Sequence, residues 1–350
     1  MSHGFLHDLA TIFANPYVAL IFLAALAFDF INGFHDAANS IATIVGTRVL
    51  RPGPAVLWAA FFNFAAAWVF GVAVANTVAK MVHPEFVTEN VILAGLVGAI
   101  VWDLVTWYVG LPTSSSHALL GGFGGAAMAY AGTWNGVLHT GKFMMTVEFI
   151  VIAPFIGFAL ALMLAVVVIR AFQRTPYARV DRYFRIIQFG SAAAFSLGHG
   201  TNDAQKTMGI IAALLYATVW KAQQQGFEGG TITFPFWIVL VCHLAIALGT
   251  LTGGWRIVKT MGMRLTRLKP WGGACAETAA AVTLFTSAHL GVPVSTTHTI
   301  TGAIVGVGTV QRFSAVRWGI ATRVVWAWVL TIPMSALVGA LTYGLITLAR

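Results

Sequence analysis

Apolar runs long enough to cross a bilayer follow one another along most of this chain, separated by short polar clusters. A helical crossing needs about 20 residues, and the runs fall into two series. The first series reads Tyr17 to Arg48, Ala55 to Val82 after a Pro52-Gly53-Pro54 turn, Val91 to Gly110 after an acidic loop at His83-Pro84-Glu85, a Gly-rich segment from Ala118 to Ala131, and Phe143 to Arg170. The second reads Ile186 to Tyr216, Phe234 to Gly254 after a polar loop from Lys221 to Thr233, Trp271 to Leu290, a Gly-rich segment opening at Pro293, and Val324 to Leu348. The expected fold is an all-α polytopic membrane protein. Trp107, Trp134, Trp220 and Trp271 fall near run ends, where an interfacial belt would place them.

Two polar motifs interrupt these runs, and each occurs twice. Leu197-Gly198-His199-Gly200-Thr201-Asn202-Asp203-Ala204-Gln205-Lys206-Thr207 sets Asp203 and Lys206 at bilayer depth. A charge there costs about 2.5–3.5 kcal/mol, so it signals function. Gly198 and Gly200 are expected to break the helix just ahead of the charges. The segment Asn32-Gly33-Phe34-His35-Asp36-Ala37-Ala38-Asn39-Ser40 repeats the pattern, with Gly33 on Gly200, Asp36 on Asp203, Asn39 on Lys206 and Ser40 on Thr207. The second pair is Pro112-Thr113-Ser114-Ser115-Ser116-His117 and Pro293-Val294-Ser295-Thr296-Thr297-His298, each opening into Gly-rich sequence as a re-entrant hairpin or broken helix would.

Motifs recurring in the same order imply an internal duplication. Residues 1–170 form the first repeat, 171–185 a basic cytoplasmic linker and 186–350 the second repeat. Each repeat carries about five crossings when the Ser/Thr-rich segment counts as one, and an odd number inverts the second repeat relative to the first. Charge agrees with both termini lying outside. Arg48, Arg51, the Arg170 to Arg185 and Arg256 to Lys269 clusters, Arg312, Arg317 and Arg323 then face the cytoplasm, fifteen of the 20 Lys and Arg residues. Lys80, Lys142, Lys221 and Arg350 remain outside. Inverted repeats with interrupted helices are the signature of a secondary transporter.

Composition narrows the class. Only 9% of residues are charged and 58% are hydrophobic, against about 25% charged in soluble domains, so no room is left for a soluble domain. The net charge of +9 does not imply nucleic acid, because the basic residues lie in short loops between runs. Cys242 and Cys275 stand in apolar sequence and suggest neither a disulfide nor a metal site. No cofactor is implied. The first sixteen residues lack a basic n-region, so no cleavable signal peptide is expected.

The motifs suggest chemistry. A helix N-terminus offers unpaired N–H donors and partial positive charge, so Ser114, Ser115, Ser116, Ser295, Thr296 and Thr297 suit an oxyanion, with simple N-capping as the alternative. Asp36 and Asp203 would repel a bare anion, so they should bind a coupling cation, carry a proton or accept from a protonated substrate oxygen; capping their own helices is the other option. Lys206, standing where the first half has Asn39, could replace a sodium ion, which favours proton coupling, or could only neutralise Asp203. Glu277 suits either a proton or cation role or a helix contact; Asp29 suits the cavity wall and Asp103 a helix contact. His117, His199 and His298 suit structural hydrogen bonds.

The Gly33 to Asn39 and Gly200 to Lys206 pair, with Gly110 to Ala118 and Gly291 to His298, resembles the inorganic phosphate transporter (PiT) family over essentially the whole chain. The resemblance implies low-affinity phosphate import by symport and alternating access, an inverted-repeat fold, a homodimer and the cytoplasmic (inner) membrane of a bacterium. It implies that Asp36, Asn39, Asn202 and Asp203 complete a phosphate site with the six hydroxyl residues, while Asp36, Asp203, Lys206 and Glu277 serve the coupling ion. His35 for Asn and Gln205-Lys206 for Ala-Asn depart from the sodium-coupled pattern, as in a bacterial branch associated with proton coupling and metal–phosphate substrates. Sodium coupling and sulfate transport on the same fold remain alternatives. Outside the class, an intramembrane hydrolase would use Asp36 and Asp203 as an acid pair, and a structural subunit would need no duplicated charged site.

Overall fold

The computed structural model describes residues 5–69, 71–220, 232 and 234–349. The polar loop expected from Lys221 to Thr233 lies outside the described residues except for Ile232, as does Arg350. Each apolar run forms a helix or a bent helix pair. In the first half these are α1 (Phe5–Ala14), α2 (Pro16–Gly46), α3 (Pro52–Ala65), α4 (Ala73–Ala79), α5 (Glu89–Val109), α6 (Ser115–Ala131) and α7 (Thr140–Phe172). The second half contains α8 (Tyr177–Thr218), α9 (Phe236–Thr252), α10 (Trp255–Lys259), α11 (Pro270–His289), α12 (Thr296–Gln311) and α13 (Trp318–Leu348).

Local chemistry sets several of the boundaries. Asn15 accepts from the backbone of Tyr17 and Val18 ahead of Pro16, a residue whose fixed φ suits a first turn. Thr88 caps α5 through Val91 N–H. Gly110 ends α5 at φ +75°, a conformation other residues rarely adopt, and so turns the chain directly into the first hydroxyl cluster.

Among the described residues four helices, α2, α5, α7 and α13, are long and apolar enough to cross a membrane, and the number rises to six if each of the bent pairs α3–α4 and α9–α10 is one span. The bend after α9, 60° once the following π-helical turn Thr260–Leu265 is included, falls at Gly253, where φ is +66°. The more polar α8 and α11, with α6 and α12, supply the remaining runs. At 17 and 16 residues, α6 and α12 reach only about 25 Å, short of a bilayer core of about 30 Å.

The helix breaks expected at Gly33 and at Gly198-Gly200 do not occur: α2 and α8 run through both motifs without interruption. The glycines serve close packing instead. A Cβ on Gly33 would stand 2.1 Å from Ile246 O of α9, one on Gly249 of α9 would stand 2.0 Å from Phe30 O of α2, and one on Gly200 would stand 2.6 Å from Asn63 O of α3. With no hydrophobic drive between helices in lipid, such small-residue crossings let backbones approach and gain dispersion contact. The Gly-rich runs act likewise, with Gly121 and Gly125 against the α13 backbone and Gly302 and Gly306 against that of α7. The basic linker expected at 171–185 is also partly helical, because α8 already begins at Tyr177; there Arg185 pairs with Asp181 at 2.7 Å and donates to Arg48 O at 3.0 Å.

Contacts between the halves are reciprocal. α2 packs on α9 as α8 packs on α3 and α4; α6 packs on α13 as α12 packs on α7; and α5 and α11 each lie beside the short helix that follows them. The centre of this arrangement is where α2, α8 and the N-terminus of α12 meet.

Gly33→Ala is expected to destabilise the protein by about 1–3 kcal/mol through overpacking. Gly190→Ala, in α8 with nothing within 4 Å of the added methyl, should be neutral or stabilising by about 0.5–1 kcal/mol. Thermal denaturation of the purified variants in detergent measures both.

Candidate functional site

Asp36 of α2 and Asp203 of α8 are brought together by the crossing of their helices, and the first turn of α12 lies against both. Thr296 Oγ1 donates towards Asp203 Oδ2 at 3.0 Å and lies 3.5 Å from Asp36 Oδ2, so one hydroxyl bridges the two carboxylates. Thr297 Oγ1 lies 3.4 and 3.3 Å from the two oxygens of Asp36. Asn39, one helical turn beyond Asp36, donates to Thr297 Oγ1 at 2.8 Å and to Thr296 Oγ1 at 3.3 Å. The hydroxyls at the start of α12 thus take the amide of one motif and give to the carboxylates of both.

Lys206 occupies the position opposite Asn39. Its ammonium donates to Asp203 Oδ1, to Ser116 Oγ in the first turn of α6, and to Val294 O at 2.8 Å just before α12. A buried charge is tolerable only when all its donors are used, and here the three hydrogen bonds join α8 to both hairpin openings. His199, one turn before Asp203 on the same face, places Nε2 3.1 Å from Asp203 Oδ2 and Nδ1 3.1 Å from Asn63 Oδ1. His35 places Nδ1 2.7 Å from Asp36 Oδ1 and Nε2 3.1 Å from Thr106 Oγ1, which in turn accepts from Thr113 at 2.9 Å.

Other expected site residues stand apart from this cluster. Ser114 and Ser295 cap α6 and α12, accepting from His117 N–H at 3.3 Å and His298 N–H at 3.1 Å. Ser115 is buried beside Asp103. Asn202 turns to α11, donating to Leu284 O at 3.0 Å and to Gly198 O at 3.1 Å. Glu277 belongs to a separate buried group, accepting from Gln188 at 2.9 Å and Ser191 at 2.5 Å, while Gln188 also accepts from Thr47 at 2.9 Å. The two hairpin histidines meet, with the rings of His117 and His298 centred 4.8 Å apart and His298 stacked on Trp328 at 3.8 Å.

The structure gives His199 a place beside the carboxylates and adds Asn63 and Thr106. His199 joins Asp36 and Asp203 in a group whose ligand atoms all lie within 4.8 Å of one another, a set able to hold a cation, although the sequence suggested no metal site. Its spacing of four residues from Asp203 was the available signal, since i and i+4 share a helix face. Asn63 and Thr106 carried no such signal; each reaches the cluster from a helix distant in sequence. Asp29 and Asp103 lie within electrostatic reach, Asp29 of Asp203 and Lys206, Asp103 of His35, Asp36 and Asp203.

Charge decides what the cluster can do. Asp29, Asp36, Asp103 and Asp203 are four fully buried carboxyl groups facing one lysine and two histidines. In a medium of low dielectric such an excess of acids must be relieved by protons or a cation. The neighbouring cavity lined by Lys206, Ser116, Thr146 and Pro293 measures about 20 Å³, room for roughly one water. In this conformation the hydroxyls of Thr296 and Thr297 are turned to carboxylates.

Comparison with known proteins agrees with this architecture. The model of a family described as the phosphate transporter family (PHO4) matches residues 32–178 and 170–339. A protein of Rhizobium meliloti named "Probable low-affinity inorganic phosphate transporter" is 56% identical over 336 residues, covering 94% of this chain and 96% of that one. A Bacillus subtilis protein of the same name is 42% identical over 333 residues, covering 94% and 97%. A solved structure named "The sodium-dependent phosphate transporter" shares the fold with a TM-score of 0.79 at 24% identity, covering 95% of this chain and 100% of its own. The chain is an integral membrane protein and belongs to the phosphate transporter family.

Proposed function

We propose that this protein imports inorganic phosphate across the cytoplasmic membrane by proton symport, through alternating access of two inverted repeats. Phosphate as substrate is supported by the names of its relatives; sulfate, which carries no proton near neutral pH, would gain less from carboxylate acceptors. Proton coupling rests chiefly on one observation, the Lys206 ammonium on Asp203 Oδ1. That ammonium supplies fixed positive charge where the first half has a neutral amide, so Asp203 needs no metal cation to be neutralised.

In this scheme phosphate replaces the carboxylates as acceptor for Thr296 and Thr297 and also accepts from Ser116, and the helix openings at Ser115 and Thr296 face its charge. Asp36 then accepts from a phosphate hydroxyl or takes the symported proton, with His35 beside it as the relay. Asn39 and Lys206 hold the hairpins in register, and Ser114 and Ser295 keep the openings formed. A divalent metal bound to phosphate would relieve the remaining negative charge. Glu277, in its own polar group, gives a second place for a coupling proton on the path between α8 and α11. We assign a homodimer as the assembly and place both termini outside.

A sodium-coupled reading draws on the name of the fold relative and on the Asp36, His199 and Asp203 group. The two schemes separate cleanly in proteoliposomes. Radiolabelled phosphate uptake driven by an imposed pH gradient, with sodium absent and sulfate as competitor, is expected to collapse with a protonophore and to ignore sulfate; a requirement for sodium overturns the role given to Lys206, and displacement by sulfate overturns the substrate. Asp36→Asn and Asp203→Asn are each expected to lower uptake about 100-fold or more, at about 1.4 kcal/mol per tenfold, with the protein still inserted; normal flux in both would refute symport through this cluster. Lys206→Asn should lower proton-driven uptake at least tenfold, roughly 1.4 kcal/mol, and make the residual flux respond to sodium, read in the same vesicles.

A further inference from the structure

At the far end of α12 from the carboxylate cluster, the surface forms an open cleft of about 290 Å³ lined by the exposed Arg267, Arg312 and Arg317 with Thr266, Gln311 and Ser314. None of the three arginine side chains makes an ion pair or a hydrogen bond among the described residues, and no acidic residue lines the cleft. The side-chain nitrogen of Gln311 is buried there without a partner. The wall is built by specific bonds: Arg317 N–H donates to Leu265 O at 3.0 Å, Thr266 Oγ1 to Ala315 O at 3.2 Å, and Ala315 N–H to Arg312 O at 2.8 Å. These bonds hold the segment after α12 against the π-helical turn Thr260–Leu265.

Three guanidiniums gathered on one concave surface repel each other unless a counter-charge stands between them. The C-terminal carbonyls of α12 contribute only about half an elementary negative charge. Guanidinium presents paired donors that match the oxygens of a phosphate group, and the hydroxyl of Ser314 and the amide of Gln311 add neutral donors at the same wall. We propose that this cleft is a second anion site, separate from the carboxylate cluster, which takes a phosphate group either as free inorganic phosphate or as the phosphodiester of an anionic lipid headgroup. Thr296 and Thr297 start the helix that Gln311 ends. An anion bound here therefore bears on the helix that closes the hairpin over Asp36 and Asp203, and occupancy would hold that helix in place.

Equilibrium binding of radiolabelled inorganic phosphate to the full-length protein in delipidated detergent tests the free-phosphate source. In an Asp203→Asn background, which disables the carboxylate cluster, binding should persist and should weaken at least tenfold on adding Arg312→Gln and Arg317→Gln. The lipid source is tested in nanodiscs of phosphatidylglycerol against phosphatidylcholine: phosphatidylglycerol should raise the thermal transition of the wild type and not that of the arginine double variant. A positive result in either arm supports the site and names its source. If neither phosphate binding nor lipid stabilisation depends on these arginines, the proposal is overturned. Phenylglyoxal labelling of the wild type gives a measurement free of any substitution: phosphate or phosphatidylglycerol should slow modification of Arg312 and Arg317, and unchanged labelling with both would also overturn it. Because every arm reads binding, a failure of phosphate transport leaves these outcomes distinct.

Discussion

Two buried carboxylates on crossing helices set the terms for everything around them. Asp36 and Asp203 lie close enough to share the hydroxyl of Thr296, and like charges at that separation inside a protein cannot both stay ionised without compensation. Lys206 supplies positive charge at Asp203, and the rings of His35 and His199 stand against the two carboxylates from other directions. The excess of acids grows once the buried Asp29 and Asp103 are counted.

The second constraint is how closely the helices must approach for those short side chains to meet. Thr, Asn and Asp reach only a few ångströms, so the backbones of α2, α8 and α12 have to come near one another. Glycine makes this possible. Gly33 and Gly249 face each other's helices across the α2–α9 crossing, and Gly200 lies on the α3 backbone. The hairpin helices α6 and α12 seat their own glycines against α13 and α7. The polar cluster and the glycine crossings are therefore one design, in which small residues set the spacing that polar residues exploit.

The correspondence between the two Asp motifs departs where Lys206 stands in place of Asn39. Asn39 reaches only the second hairpin, through Thr296 and Thr297. Lys206 reaches Ser116 of the first hairpin and Val294 of the second. A single ammonium thereby touches both openings, so any movement of either hairpin changes its solvation and the balance of charge on Asp203.

The sequence by itself determined a good deal of this. Apolar runs set the helices and their order, because in a membrane a backbone must satisfy its own hydrogen bonds. Recurrence of two motifs implied duplication and singled out Asp36, Asp203, Asn39, Lys206, Thr296 and Thr297, all of which meet at the centre. What it could not convey was why the motif glycines are there. Local conformational freedom suggested a broken helix at Gly33 and Gly200, whereas the requirement comes from backbones of α9 and α3 that are remote in sequence. The tertiary structure likewise decided that Ser114 and Ser295 act as caps, that Asn202 turns to α11 and that Glu277 joins Gln188 and Ser191. Each depends on which neighbour a side chain finds across a helix interface, and the spacing of residues along one helix carries no information about the partner that packs against it.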